Sequence, residues 1–197
     1  MEMLNEFYKF LERNNINLKD ETVLCAVSCG VDSMVLLNVL EEASKTIGFK
    51  IAVSHVNHKK RSQSEIEEEF IRSYCKDKHK IFVLSLEHEN EISSSNFQNN
   101  ARIKRLEFFK ECLKEINGKY VFLAHHLNDD METTFLKLSR KAALKSIAGI
   151  KEINSFDGMI VMRPFMRVLK DDIYLYAREN SLIYFEDCSN NEDDYAR

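Results

Sequence analysis

The sequence predicts an α/β fold, with a doubly wound, mainly parallel five-stranded sheet and helices on both of its faces. Short runs of apolar, often β-branched residues alternate along the chain with longer segments of helical periodicity. Each short run is almost continuously apolar, which is typical of parallel strands buried on both faces. The predicted strands are TVLCAVS (22–28), KIAVSHV (50–56), KIFVLSL (80–86), KYVFLAH (119–125) and MIVMRPF (159–165).

The segments between the strands carry the period of helices. In the third of them, Leu106, Phe109 and Leu113 lie on one stripe, and Gly118 follows as a natural stop. Pro164, the only proline, cannot continue a central strand, so we expect the last strand to give way to a helix there. The predicted helices are 32–45, 64–78, 96–117, 129–141 and 170–181.

Composition favours a single cytoplasmic domain over residues 1–197. Apolar residues make up 44% of the chain, enough for a sizeable core, but no apolar run is long enough to cross a bilayer, and we expect no membrane partner. The N-terminal segment is amphipathic and includes acidic residues, unlike a secretion signal. The five cysteines form no CxxC pair, which argues against a zinc ribbon or a disulfide framework.

Charge gives no global sign of nucleic-acid binding, because the net charge is −4. Basic residues are nevertheless clustered: the stretch 137–151 contains five of them and no acid, and HKKR (58–61) forms a second basic segment. Such segments on an acidic protein can bind phosphates. Solvated helix faces are the alternative interpretation.

Polar residues recur at the predicted carboxyl ends of the strands, where open α/β sheets bind ligands. The turn Ser28–Ser33 follows the first strand, and its backbone N–H groups and the dipole of the next helix would face an anion. Asp32 would repel a phosphate unless a cation lay between them, so its presence suggests Mg²⁺. The turn contains neither a Walker nor a Rossmann motif, and a simple strand-to-helix connection is the alternative.

This turn, SxGxDS, resembles the pyrophosphate-binding loop of the N-type ATP pyrophosphatases, usually written SGGxDS. The resemblance implies an adenine nucleotide alpha hydrolase-like fold that binds ATP. Cys29 stands where that family has glycine, and if the position needs a positive φ the cysteine costs about 1–3 kcal/mol in strain. The implied ATP-binding residues are Ser28, Cys29, Gly30, Val31, Asp32, Ser33, His55 and Asn57.

Four more segments resemble, in the same order, those of the tRNA(Ile)-lysidine synthases. They are SHVNHKKR (54–61), NNARIKRLEFF (99–109), AHHLNDDMET (124–133) and RPFMRVLKDDIYLYARENSLIYFEDCSN (163–190). The third departs from its family pattern, because Asn128 replaces an aspartate and Asp130 a glutamine. The chain ends at DDYAR, where the family normally continues, so we expect the C-terminal tRNA-binding domains to be absent or truncated.

The resemblance implies an ATP- and Mg²⁺-dependent ligation. ATP would adenylate O2 of the wobble cytidine in tRNA(Ile) with a CAU anticodon, and the ε-amine of free L-lysine would then attack C2 and expel AMP. Asp32 and Asp129 are the expected metal ligands, and the segments 137–151 and after 164 are possible tRNA-facing appendages. The expected catalytic residues are Asp32, Arg102, Arg105, His126, Asp129 and Glu132. The expected tRNA-binding residues are Lys59, Lys60, Arg61, Lys137, Arg140, Lys141 and Lys145.

Three alternatives stay open. A tRNA 2-thiolation enzyme shares the loop but typically needs paired cysteines. A metal-dependent phosphohydrolase could be built around His125, His126 and Asp129, although it leaves the Ser28–Ser33 turn without a role. A non-catalytic nucleotide-binding module would bind ATP without turnover.

Overall fold

The computed structural model describes residues 3–57, 59, 63–86, 94–129, 131 and 150–186, with the backbone alone for 94–102. The strands among these residues are β1 (Thr22–Ala26), β2 (Lys50–Asn57), β3 (Lys80–Ser85), β4 (Tyr120–Phe122), β5 (Ile153–Phe156) and β6 (Met159–Met162). The helices are α1 (Met3–Arg13), α2 (Val31–Ile47), α3 (Gln63–Cys75), α4 (Ser94–Glu115) and α5 (Lys170–Glu179). The predicted helix over 129–141 lies almost entirely outside the described residues.

The strands form one mainly parallel sheet in the order β3-β2-β1-β4-β6-β5. This confirms the predicted α/β class, but the predicted number of five strands is wrong. The additional strand, β5, pairs antiparallel with β6 at the sheet edge, with Asp157 and Gly158 at positive φ in the turn between them. Its sequence INSF is mostly exposed, so it lacks the apolar run by which the other strands were recognised.

The sheet separates two apolar cores, as the doubly wound prediction requires. Alternate residues of β1 face opposite sides, since Val23 and Cys25 belong to one core and Leu24 to the other. Helices α1, α2, α3 and α5 contribute to the first core, and α4 contributes Phe109 and its neighbours to the second. Nine buried residues of α2 make it the most deeply packed of the described helices.

The strand order reverses between β1 and β4, which places a crevice outside their carboxyl ends. Gly118 allows β4 to approach β1, because a Cβ at this position would lie 2.5 Å from the carbonyl oxygen of Thr22. Its N–H also donates to the carbonyl of Leu113, which closes the end of α4. This glycine therefore allows close packing at the amino-terminal edge of the sheet, opposite the crevice.

The chain after Pro164 packs into the first core rather than extending the sheet. Phe165, Val168 and Ile173 are fully buried, and α5 contacts α2 through a hydrogen bond from the Tyr176 hydroxyl to Asn38. The residues after α5 return to the carboxyl end of β1, where the N–H of Phe185 donates to the carbonyl of Cys29. Whether tRNA faces this segment stays a prediction. Among the described residues, no helix combines the length and apolar character needed to cross a bilayer.

Candidate active site

The β1–α2 loop (Ser28–Ser33) is held in shape by its own two serines. The Ser33 hydroxyl accepts a hydrogen bond from the N–H of Ser28 at 3.2 Å and donates to the carbonyl of Gly30 at 2.9 Å. The Ser28 hydroxyl lies 3.2 Å from that of Ser33 and accepts from the N–H of Gly30 at 3.4 Å. Ser33 is buried and Ser28 is exposed, so the loop has a fixed base and an accessible rim.

The loop leads directly into the N-terminus of α2. Gly30 is the N-cap residue, and no side chain among the described residues caps it. The first N–H groups of α2 therefore point into the crevice together with the positive end of the helix dipole. This arrangement suits the binding of a phosphate group.

Cys29 has a φ of +70°, so this position has the left-handed backbone that favours glycine. Its thiol is fully buried and donates to the carbonyl of Glu67 in α3, at 3.4 Å, with His55 Nδ1 3.9 Å away. Burial raises the pKa of this thiol to about 12, with a smaller contribution from the charge of Glu67. The thiol therefore lies beneath the loop and is not a reactive group in the crevice.

A charged cluster (Asp32, His126, Asp129 and Lys170) lies beside this loop. Nζ of Lys170 approaches both carboxylate oxygens of Asp32, at 2.6 and 2.7 Å. Nε2 of His126 is 3.5 Å from Asp32 Oδ1 and 3.7 Å from Asp129 Oδ1. Asp129 also accepts a hydrogen bond from the N–H of His126 at 2.9 Å, which fixes the turn after β4. Residues from three distant parts of the sequence thus meet in one place.

The oxygen donors of this cluster fit Mg²⁺. Asp32 and Asp129 approach the same imidazole nitrogen from two elements, and their carboxylates are partly exposed. Mg²⁺ is usually bound through one or two carboxylates together with substrate phosphates and water. Among the described residues no group of three or more His, Cys, Asp or Glu side chains is arranged to hold a metal ion.

The PP-loop domain matches residues 2–197 of the chain. The chain belongs to the PP-loop domain family. Within this PP-loop domain, the β1–α2 loop corresponds to the segment that the sequence predicted to bind pyrophosphate.

Curated relatives resemble this PP-loop domain over nearly its whole length. The chain is 35% identical to the tRNA(Ile)-lysidine synthase of Enterococcus faecalis over 196 residues, which are 99% of this chain and 42% of that protein. It is also 35% identical to the tRNA(Ile)-lysidine synthase of Bacillus subtilis over 195 residues, covering 95% of this chain and 40% of that protein. The chain thus spans less than half the length of these relatives.

Solved structures share the fold of the PP-loop domain. The U34-tRNA thiolase NcsA from Methanococcus maripaludis superposes with a TM-score of 0.75 at 18% identity, covering 100% of this chain and 66% of that one. The NH3-dependent NAD synthetase from Campylobacter jejuni has a TM-score of 0.55 at 12% identity, covering 92% and 75%. At these identities the likeness establishes the α/β architecture alone.

His125, after β4, and Arg105, in α4, lie close to the charged cluster. Burial lowers the pKa of His125, and the nearby charges of Arg163 and Arg105 lower it further, while Asp129 opposes them. Arg105 is exposed on α4, and its charge acts on His125, which follows β4. The backbone of Arg102 lies one turn earlier in α4, and its side chain is outside the described residues.

His55 and Asn57, which the sequence predicted to bind ATP, are buried and bonded to the protein. The Nδ1–H of His55 donates to the carbonyl of Val27 at 2.8 Å, and burial lowers the pKa of this imidazole. Asn57 donates to the Glu68 carboxylate and accepts from the N–H of Lys59, both at 2.8 Å. These bonds hold the ends of β1 and β2 in place, and direct contact with ATP stays a prediction.

Other predicted residues are only partly described. Lys59 is exposed, has a φ of +46°, and follows the carboxyl end of β2 by two residues. The remaining predicted residues lie outside the described part of the chain: Lys60, Arg61, Glu132, Lys137, Arg140, Lys141 and Lys145.

Lys170 is the member of the charged cluster that sequence reasoning missed. It is the first residue of α5, and its N–H donates to Asn128 Oδ1 at 3.2 Å, which joins the start of α5 to the turn after β4. Its partner Asp32 lies 138 positions earlier in the chain. A lysine before two aspartates at a helix start looks like ordinary helix sequence, so only the packing of α5 on α2 reveals its position.

Proposed function

We propose that this chain is the ATP-dependent catalytic domain of a tRNA(Ile)-lysidine synthase. In this reaction ATP adenylates the wobble cytidine of tRNA(Ile) with a CAU anticodon, and free L-lysine displaces AMP. The observation that carries the proposal is the meeting of the anion-binding β1–α2 loop with a carboxylate–histidine pair at one crevice. Similarity to a curated tRNA(Ile)-lysidine synthase over 99% of the chain favours lysine ligation among the reactions that such a crevice could support.

The loop would hold the departing pyrophosphate. Its exposed Ser28 hydroxyl and the first N–H groups of α2 supply donors that are already oriented before ATP binds. Donors fixed in advance stabilise charge as it develops, without the cost of reorganisation. Because Ser33 and Gly30 are bonded within the loop, this orientation does not depend on the nucleotide.

Asp32 and Asp129 would hold Mg²⁺, which neutralises phosphate charge and orients the nucleotide when bound. Asp32 stands in the first turn of α2, next to the loop, and Asp129 stands across the crevice after β4. Each carboxylate lies within 4 Å of the same His126 nitrogen, so both can serve one cation shared with the phosphates. Arg102 and Arg105 in α4 would stabilise the charge on the α-phosphate.

The incoming lysine amine must lose a proton before it attacks. The His126 imidazole is buried beside Asp32 and Asp129, and a histidine or a carboxylate of this cluster would take up that proton. Glu132, three residues beyond Asp129, would hold the lysine ammonium before deprotonation. The tRNA would be positioned by phosphate contacts to the basic residues named above: Lys59, Lys60, Arg61, Lys137, Arg140, Lys141 and Lys145. The target base must leave its stack to reach the crevice.

The described cysteines do not favour the alternative of tRNA 2-thiolation. Cys25, Cys29, Cys75 and Cys112 are all buried free thiols. Burial raises the pKa of each, and for Cys29, Cys75 and Cys112 it reaches about 12. Thiols in this state are poor nucleophiles and poor metal ligands. The fold shared with a thiolase therefore does not by itself indicate sulfur transfer.

The proposal is tested by AMP release from ATP and Mg²⁺ in the presence of lysine and CAU-anticodon tRNA(Ile). We expect AMP to form only when lysine and this tRNA are both present, and the initiator methionine tRNA serves as the control RNA. Phosphate release without either substrate would instead indicate a phosphohydrolase. ATP binding without any turnover would indicate a nucleotide-binding module.

A further inference from the structure

The Lys170–Asp32 pair conflicts with the proposed metal site in its present form. The ammonium of Lys170 engages both carboxylate oxygens of Asp32, at 2.6 and 2.7 Å, and each side chain is 27% exposed. A divalent cation on the same oxygens would stand next to this ammonium at a distance where like charges repel strongly. Lys170 and a divalent cation therefore compete for the Asp32 carboxylate.

The surroundings allow Lys170 to leave without disturbing the fold. Its backbone is anchored, because its N–H donates to Asn128 Oδ1, whereas its side chain is partly exposed and rests with Nζ 5.1 Å from the centre of the Tyr174 ring. A lysine side chain has four rotatable bonds, so its ammonium can move several ångströms while the start of α5 stays in place. Asp32 is one residue from Ser33, so the released ammonium would still lie beside the β1–α2 loop.

We propose that Lys170 is the resident counter-ion of Asp32, is displaced when a divalent cation binds, and then contacts phosphate oxygens held by the β1–α2 loop. Before the metal binds, the ammonium neutralises a carboxylate that would otherwise repel an approaching triphosphate. Afterwards the same charge stands next to the departing pyrophosphate. Lys170 thereby couples occupation of the metal site to completion of the phosphate site. The inference rests on the phosphate-binding part of the proposed function, not on the identity of the nucleotide acceptor.

The first test measures Mn²⁺ binding to the nucleotide-free protein by electron paramagnetic resonance. Lys170→Gln removes the competing ammonium, so we expect Mn²⁺ affinity to rise roughly tenfold, and Asp32→Asn should abolish the gain in the double variant. Lys45→Gln is the matched control, since it removes the same charge from an exposed pair with Glu42 on the same protein. An affinity that is unchanged or lower in Lys170→Gln would overturn the proposal.

The second test uses the unaltered chain and so does not depend on a variant that folds. Lysine acetylation is followed by mass spectrometry without metal, with Mg²⁺, and with Mg²⁺ and inorganic pyrophosphate. We expect Lys170 to be labelled slowly at first, at least about threefold faster with Mg²⁺, and slowly again with pyrophosphate, while labelling of Lys45 stays constant. If Mg²⁺ does not change the rate at which Lys170 is labelled, the exchange is contradicted. If pyrophosphate does not slow this labelling, the phosphate contact is contradicted.

These outcomes are separable from those of the ligase assay. Neither lysine nor tRNA is present in either test. If the variants change Mn²⁺ binding as expected but the protein forms no AMP with lysine and tRNA, the exchange of Lys170 is supported and the proposed ligase function is contradicted. If the protein ligates lysine but Lys170→Gln does not change the Mn²⁺ affinity, the ligase function is supported and the exchange is contradicted.

Discussion

The two halves of the crevice are built in different ways. The β1–α2 loop uses neutral hydrogen bonds among backbone groups and two serines, with Ser33 buried at its base. The charged cluster uses long-range pairing of ionised side chains, and Asp32, Asp129 and Lys170 keep between 27% and 37% of their side chains exposed. One half is part of the protein's packing, and the other is a set of charges at its surface.

This difference predicts where mutations act. Removing a partner from a buried hydrogen-bond network leaves polar groups unsatisfied and lowers the free energy of unfolding. Exposed ion pairs contribute little to stability, because water and salt screen them. Substitutions in the loop should therefore affect folding and nucleotide binding together, whereas substitutions in the cluster should affect turnover with little change in stability.

The largest effect is expected for Asp32→Asn. The amide cannot supply the negative charge that a metal ion needs, so turnover in AMP release should fall by about 10²–10³-fold. The free energy of unfolding in urea should change by less than about 1 kcal/mol. Asp171→Asn, the same change on an exposed residue of α5, is the control and should leave both nearly unaltered. A loss of stability as large as the loss of activity would contradict the contrast between loop and cluster.

Ser33→Ala should act on both properties. It removes the acceptor for the N–H of Ser28 and the donor to the carbonyl of Gly30, so we expect about 1–2 kcal/mol of destabilisation and a roughly tenfold higher KM for ATP. Ser44→Ala is a matched control in the same helix, where the hydroxyl donates a single hydrogen bond among the described residues, to the carbonyl of Glu41. If Ser33→Ala left stability intact, the loop would not be the self-supporting structure described above.

Two histidines, His55 and His125, should make stability depend on pH. Burial is the main cause that lowers the pKa of both His55 and His125 from the ordinary value of 6.5. Below that value the unfolded chain binds more protons than the folded one, so the free energy of unfolding should decrease as the pH falls through about 6.5. Urea unfolding at pH 7.5 and 5.5 measures this decrease.

A His55→Gln variant sharpens the pH test. It should show a smaller decrease between these two pH values, because one of the two groups no longer titrates. The carboxylates Glu41 and Glu152 have a lowered pKa and contribute stability that is lost only below their ordinary value of 4.5. An identical pH dependence in the variant would show that His55 is not held neutral by the fold.

The smallest effect is expected for Cys29→Gly. Glycine relieves the strain of a φ of +70° but removes a buried thiol, and these contributions of about 1 kcal/mol oppose each other. Turnover should change by less than about tenfold, because the thiol lies beneath the loop. Cys29→Ala keeps the strain and loses the thiol, so it should be less stable than the glycine variant by about 1 kcal/mol. Equal stability of the glycine and alanine variants would show that backbone strain at position 29 does not contribute.

Much of this architecture could be predicted, because strands that are buried on both faces of a sheet consist almost entirely of apolar residues. Strand β5 escaped notice because INSF is mostly exposed and is held only by its pairing with β6. The positive φ at Cys29 was predictable from the family glycine that it replaces. Lys170 was not, because its position depends on how α5 packs against α2, and no local pattern records contacts between residues 138 positions apart.

The central claim is that one crevice supports transfer of lysine to a nucleotide. It is tested most directly with isotopically labelled lysine, ATP, Mg²⁺ and CAU-anticodon tRNA(Ile), followed by mass spectrometry of the digested tRNA. The account predicts that the label appears in the wobble cytidine alone and is absent with Asp32→Asn. Label-free tRNA from a folded protein that binds ATP, or sulfur in place of lysine at that nucleotide, would contradict it.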